Sequence, residues 1–183
     1  MKNDFKYCPN CGSTCIVNFD NIKWECPDCK YVLYCNVAAA VGIIIQDKYK
    51  NVLFELRAKA PRKGFACLPG GFVDRDESAE NAIIRECREE IGVEIKKVKY
   101  LCSFPNTYPY KNVEYKTCDS FFIAELPPEY DTIEDFINSL KAEESEVLGF
   151  VSYKVETTED IEKIPLAFES AKKTLEKLIE KQD

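Results

Sequence analysis

The sequence has 183 residues, 45% of them hydrophobic and 31% charged, with a formal net charge of −7 and no histidine. These are globular proportions for one full-sized domain, or one domain with a small appendage. Without imidazole, Ser-His-Asp and Cys-His chemistry is excluded. Any proton must be moved by a carboxylate, a lysine, a tyrosine or metal-bound water.

The acidity also argues against a general nucleic-acid binder, which needs a basic face to displace counterions. It is concentrated in the last 56 residues, which hold seven basic and fifteen acidic side chains, so the middle of the chain can still receive an anionic substrate. No apolar run approaches the roughly 18 residues of a membrane span, and the N-terminus lacks an apolar signal-type stretch. The expectation is a soluble, cytoplasmic protein with no membrane partner.

In chain order, the first pattern is Cys8-Pro9-Asn10-Cys11 followed by Cys26-Pro27-Asp28-Cys29, with fourteen residues between the pairs. Each CxxC forms a knuckle that presents two thiolates to one ion, and two knuckles complete a tetrahedron. Residues 16–19 and 22–25 alternate as a short hairpin with Asp20-Asn21 at its tip. This spacing reads as a zinc ribbon over residues 1–36, with a redox dithiol or chance clustering as the alternative. Four thiolates leave no open position, so Zn²⁺ here is structural and supplies folding free energy to a segment too short for its own core. Cys15, Cys35, Cys67, Cys87, Cys102 and Cys118 have no ligand spacing and read as small buried apolar residues.

Residues 30–36 join the ribbon to a main domain over 37–183 without a Gly/Ser linker. Val37–Ile45 is an apolar run fit for a buried strand, and Asn51–Leu56 follows it as the second arm of a hairpin. Ala60–Lys63 is a basic loop. Ser78–Ile91 reads as a helix capped by Ser78 and ended by Gly92, with Ala79, Ala82, Ile83 and Cys87 on one face. Strands are expected over Ile95–Ser103 and Val113–Glu125, separated by a loop at Phe104–Asn112. A short helix over Asp131–Leu140, a strand over Val147–Tyr153 and an amphipathic helix over Ala167–Lys181 complete a mixed α/β domain.

The chemistry concentrates in residues 70–93. Glu86, Glu89 and Glu90 fall at i, i+3 and i+4 on the helix, so the three carboxylates share a face and repel unless a cation neutralises them. Hard oxygen ligands of this kind suit Mg²⁺ or Mn²⁺, which also bind phosphates. Gly70 and Gly71 let backbone groups approach where a Cβ would obstruct.

This segment resembles the Nudix box, G-x5-E-x7-R-E-U-x-E-E-x-G-U, where U is a bulky aliphatic. Gly71, Glu77, Arg85, Glu86, Glu89, Glu90, Gly92 and Val93 all fall where the pattern requires, and Cys87 at the first aliphatic position is the one departure. The resemblance implies a Nudix α/β/α sandwich with a mixed sheet, preceded by the ribbon, and hydrolysis of a pyrophosphate bond in a nucleoside diphosphate linked to another moiety. It implies that Glu86, Glu89, Glu90 and the Gly70 carbonyl ligate Mg²⁺ or Mn²⁺. Arg85 then orients Glu89, and Glu77 supports the loop. The acidic stretch Glu143-Glu144-Ser145-Glu146 resembles the one before the family's final strand, and it selects Glu144 as the residue acting from outside the box, with Glu143 and Glu146 as neighbours able to serve.

A four-cysteine ribbon immediately before this domain resembles the NADH pyrophosphatase branch, whose S-Q-P-W-P-F-P motif follows the box. Here Ser103-Phe104-Pro105-Asn106-Thr107-Tyr108-Pro109-Tyr110 keeps the serine, two prolines and an aromatic, and lacks the glutamine, tryptophan and middle proline. Tyr108 and Tyr110 are candidates to stack on a base or nicotinamide ring. The expected substrate is a dinucleotide such as NADH or NAD⁺. ADP-ribose, a nucleotide sugar, capped RNA and a non-catalytic ligand-binding regulator are the alternatives. The resemblance to this branch also implies a homodimer.

Overall fold

The computed structural model describes residues 5–111, 113–141 and 145–182. Near the N-terminus, β1 (Val17–Phe19), β2 (Lys23–Glu25) and β3 (Val32–Tyr34) form a three-stranded antiparallel sheet of their own. The hairpin tip falls at Asp20 and Asn21, both at positive φ, the geometry of a turn that matches strand twist. The segment read from sequence as a connector contains β3. Three residues are too few to show periodicity, and β3 exists because β2 offers it a free edge.

The second sheet is built from β4 (Ala38–Gln46), β5 (Asn51–Arg57), β6 (Ala66–Cys67), β7 (Lys99–Tyr110), β8 (Val113–Glu125) and β9 (Val147–Lys154). Its order is β6-β5-β4-β8-β7, with β9 also paired to β5. β4 and β5 touch as a ladder only at Gln46↔Val52, next to their turn, and then part. β4 runs parallel to β8, and β5 runs antiparallel to β9. The space opened on the far side of β4 is taken by the Pro69–Val73 segment: Val41 N–H donates to the Gly71 carbonyl (2.8 Å) and Ile43 N–H to the Pro69 carbonyl (2.9 Å).

Alternation along the strands feeds two cores. Ile43, Ile45, Leu53 and Phe122 face α1 (Ala79–Glu90) and α2 (Ile133–Ser139), while Ile44, Phe54 and Phe121 face α3 (Thr158–Glu162) and α4 (Glu169–Glu180). Helices therefore cover both sides of a mixed sheet, the layered fold expected from sequence. Ser78 caps α1, its side chain accepting from Asn81 N–H. Cys87 is fully buried in the first core, and burial pushes its thiol up to about 12, so it packs as the aliphatic it replaces.

Two expectations are corrected. Of the stretch expected as a loop over Phe104–Asn112, Phe104–Tyr110 is strand: β7 continues to Tyr110 and pairs with β8 through Tyr110↔Val113, while Asn112 lies outside the described residues. The prolines that suggested a loop sit on an edge strand, which uses only one side of the ladder and tolerates a missing N–H. Of the cysteines read as buried, Cys15 and Cys118 are exposed, because both fall on strand or loop positions turned away from either core. Among the described residues, no helix is long and apolar enough to cross a membrane.

Candidate active site

The two CxxC knuckles are built alike. Gly12 N–H donates to the Cys8 carbonyl and Lys30 N–H to the Cys26 carbonyl, both at 2.9 Å. Cys8 N–H reaches the Ser13 carbonyl and Cys26 N–H the Tyr31 carbonyl. Folded onto each other, the knuckles bring the four sulfurs within 4.8 Å of one another, with Cys8–Cys29 and Cys11–Cys26 both at 3.7 Å. A tetrahedron with Zn–S bonds of about 2.3 Å has edges of about 3.8 Å. The cluster fits that ion. Asn10 Nδ2 donates to Cys29 Sγ, and this bond is the first cause holding the Cys29 thiol down at about 6, close to the thiolate a metal requires.

The second constellation lies at the loop-to-helix passage of the main domain. Gly70 adopts φ +140°, and a Cβ there would collide with the Val41 carbonyl; a Cβ on Gly71 would lie 2.6 Å from Glu86 Oε1. Glycine at both places lets the loop lie between β4 and the carboxylates of α1. Glu90 Oε2 accepts the Gly70 N–H at 2.7 Å.

Arg85 organises the rest. Its guanidinium donates to Glu77 (3.1 and 3.0 Å), Glu86 Oε1 (2.8 Å), Glu89 Oε2 (3.1 Å) and the Phe72 carbonyl (3.0 Å). That contact holds the Glu77 carboxyl below its usual range. Burial dominates the deeper acids: it raises Glu86, and it pushes Glu90 up to about 8 against the Gly70 amide, which favours the charged form. Glu89 is the exposed member of the set. Among the described residues, the four cysteines alone bring three or more ligand side chains within 4.8 Å; the glutamates are spread along Arg85 and the Gly70 amide.

Glu86 and Glu90, though not Glu89, open onto a cleft of about 450 Å³ that is also lined by Gly70, Glu146, Tyr108 and Phe168. Tyr108 and Tyr110 point to the same side of β7 and both line it. Tyr108 meets the Phe72 ring edge-on at 5.5 Å and the Phe168 ring at 5.5 Å, and its hydroxyl accepts from Arg57 Nη2 at 3.2 Å. Phe72 is 41% exposed, a large apolar surface beside charged groups. Glu144 and Glu143 lie outside the described residues. Glu146 lines the cleft, pairs with Lys59 at 2.7 Å, and its charge raises both Glu86 and Glu90.

Sequence reasoning missed Glu55, Arg57, Phe72 and Phe168. Glu55 left a signal, an acid between Val52-Leu53-Phe54 and Leu56 in an otherwise apolar run. Phe168 left none, since only the return of α4 across the sheet brings it to the cleft.

A mixed sheet between two helix layers, entered by a Gly-Gly loop that presses against a carboxylate helix, defines a Nudix-type fold. The chain belongs to the NUDIX family, whose domain model matches residues 36–178. It is similar to the NAD-capped RNA hydrolase NudC of Vibrio vulnificus, at 25% identity over 135 residues, 74% of this chain and 51% of that protein. It is similar to the protein of the same name from Pseudomonas aeruginosa, at 29% identity over 137 residues, 71% of this chain and 46% of that protein. The chain thus spans about half the length of the curated relatives it matches. Among solved structures it resembles the NUDIX domain of Shewanella oneidensis NrtR complexed with ADP ribose (TM-score 0.61, 22% identity, 81% of this chain and 90% of that one). It also resembles a MutT protein from Methanosarcina mazei Go1 (TM-score 0.64, 18% identity, 82% and 99%). These likenesses show the fold.

Proposed function

We propose that this chain is a divalent-cation-dependent Nudix pyrophosphohydrolase that cleaves a nucleoside diphosphate linked to another moiety, with an NAD-type dinucleotide as its substrate. The observation that carries the reading is the Arg85 network: one guanidinium fixes Glu77, Glu86 and Glu89 while Glu90 is anchored on the Gly70 amide. Such a row of acids costs stability unless cations answer it. Glu86, Glu89, Glu90 and the Gly70 carbonyl would hold Mg²⁺ or Mn²⁺, whose hard character suits oxygen donors, and the orphaned buried Oε1 of Glu55 beside them marks the same demand. Bound there, such ions neutralise a diphosphate and lower the pKa of water.

The chain's own groups do the positioning. Arg85 offsets the repulsion among Glu77, Glu86 and Glu89 and holds them in place, and the Gly-Gly loop gives a diphosphate room beside them. Glu146, or Glu144 nearby in sequence, supplies a carboxylate from outside the helix that is suited to accept a proton from the attacking water. Phe72, Tyr108 and Tyr110 offer ring faces for a base or nicotinamide. In the thiolate cluster, Zn²⁺ would be structural, since four cysteines leave no open position.

The curated relatives named as NAD-capped RNA hydrolases support an NAD-linked substrate. The net charge of −7 favours the free dinucleotide over a capped strand, because a strand needs a basic track. The test is a hydrolysis panel with Mn²⁺ and Mg²⁺ over NADH, NAD⁺, ADP-ribose, nucleotide sugars and NAD-capped RNA. Mononucleotide products from the dinucleotides at the highest kcat/KM support the reading. Preference for another compound changes the substrate and keeps the family chemistry. Binding without turnover of any compound favours a ligand-binding regulator.

A further inference from the structure

Glu55 stands on β5 opposite Cys67 of β6 and Phe150 of β9, beside Val52, Leu53 and Phe54, which are fully buried. It is itself only 2% exposed, yet it lines the cleft with Gly70, Glu86 and Glu90. Its Oε1 has no hydrogen-bond partner, and its carboxyl group lies against that of Glu90. Arg57, two residues along, places its guanidinium hydrogen bonds on the Pro61 carbonyl (2.9 Å) and the Tyr108 hydroxyl (3.2 Å), so its charge offsets part of the Glu55 burial only through space. A buried carboxylate with an orphaned oxygen is costly. A proton shared with Glu90 would relieve that pair, but it would leave the charges of Glu86 and Glu146 facing the same spot, with Arg85 already committed to Glu77, Glu86 and Glu89.

We propose that Glu55 is a further cation ligand of this site, forming with Glu90 a deep carboxylate pair that takes a divalent ion. The inference rests on the reading of the α1 carboxylates as a cation site, and it adds a ligand from β5, outside the helix and outside the sequence box.

The test is Mn²⁺ binding to the full, zinc-replete chain without substrate, read from the electron paramagnetic resonance signal of free Mn²⁺. Glu55→Gln keeps the shape and carries a permanent N–H donor, so it preserves any role as a proton-sharing neighbour and removes the ligand charge. The expected result is Mn²⁺ affinity about 10- to 100-fold weaker in Glu55→Gln, with part of the loss restored in Glu55→Asp. Both variants are checked for wild-type circular dichroism, and Glu55→Asp against wild type carries the comparison if Glu55→Gln does not fold. Wild-type affinity in Glu55→Gln, with Glu90→Gln weakened, overturns the role of Glu55 alone. Wild-type affinity in both Glu55→Gln and Glu90→Gln overturns the cation site itself, and this inference with it.

Discussion

The thiols near the N-terminus crowd to within 4.8 Å of one another, whereas the glutamates of the cleft are spaced out along one arginine and one backbone amide. Both are clusters of acidic groups, and each must be neutralised. The cysteine knuckles bring four sulfurs within 4.8 Å of one another, a donor set that would fill all four positions of a tetrahedral ion. The glutamates are held apart, two deep and one exposed, beside a cleft large enough for a nucleotide fragment. A closed donor set supports a fold, and an open one leaves positions for substrate and water. That difference is legible in ligand chemistry alone: soft sulfur for zinc, hard oxygen for magnesium or manganese.

The largest effect expected on the thiolate side comes from Cys26→Ser. It should abolish zinc retention and unfold the ribbon, whose metal is worth on the order of 10 kcal/mol in small zinc domains. Nuclear magnetic resonance should show collapse of the residue 5–36 amide signals with the core signals of β4 and α1 unmoved. Loss of the whole spectrum would mean that the two regions fold as one.

On the carboxylate side, Glu90→Gln should lower kcat about 10³-fold, since several kcal/mol of transition-state charge stabilisation depend on it. KM should change little. An unchanged kcat would remove Glu90 from the machinery.

Tyr108→Ala sharpens the substrate reading. Loss of a stacking face worth about 1–1.5 kcal/mol should raise KM for NADH roughly tenfold and leave KM for a compound without a second ring nearly unchanged. Equal effects on both would make Tyr108 a packing residue of the Phe72 and Phe168 rings.

A last prediction tests the burial of the carboxylate cluster by pH. Burial raises the Glu90 carboxyl to about 8 in the metal-free fold and raises Glu86 and Glu55 as well. For acids with raised folded values the stabilising contribution is complete below the unfolded value, near 4.5, and is lost as pH rises towards 8. Thermal melts of zinc-replete protein free of Mg²⁺ and Mn²⁺ should therefore fall between pH 5 and 8, and added Mn²⁺ should flatten that slope. A melt independent of pH would place these carboxyls in water.

How far the sequence carried differs between the two clusters. Ligand spacing is a local property, so Cys8, Cys11, Cys26 and Cys29 were readable directly, as were Glu86, Glu89 and Glu90 at helical spacing. α1 and α4 were readable from long apolar helical periods, α1 with Ser78 as its cap as well, and β4 from its continuous apolar run. β3, β6 and α3 were not, being two to five residues long and owed to tertiary partners. The continuation of β7 through Pro105 and Pro109 was hidden because local proline signals describe a loop, while the edge position that tolerates them is a property of the sheet. Arg57 and Phe168 join the cleft only through the pairing of β5 with β9 and the return of α4, contacts between residues more than 50 positions apart.

The most direct test of this division between the clusters measures metal content and turnover on one sample. Protein carrying zinc and stripped of Mg²⁺ and Mn²⁺ is assayed with NADH before and after Mn²⁺ is returned, with both metals counted by mass spectrometry. If the thiolates serve the fold and the carboxylates serve the chemistry, turnover is absent with one zinc bound, appears with Mn²⁺, and leaves the zinc count unchanged. Turnover by the zinc-only protein, or Mn²⁺ activation that displaces the zinc, would contradict it.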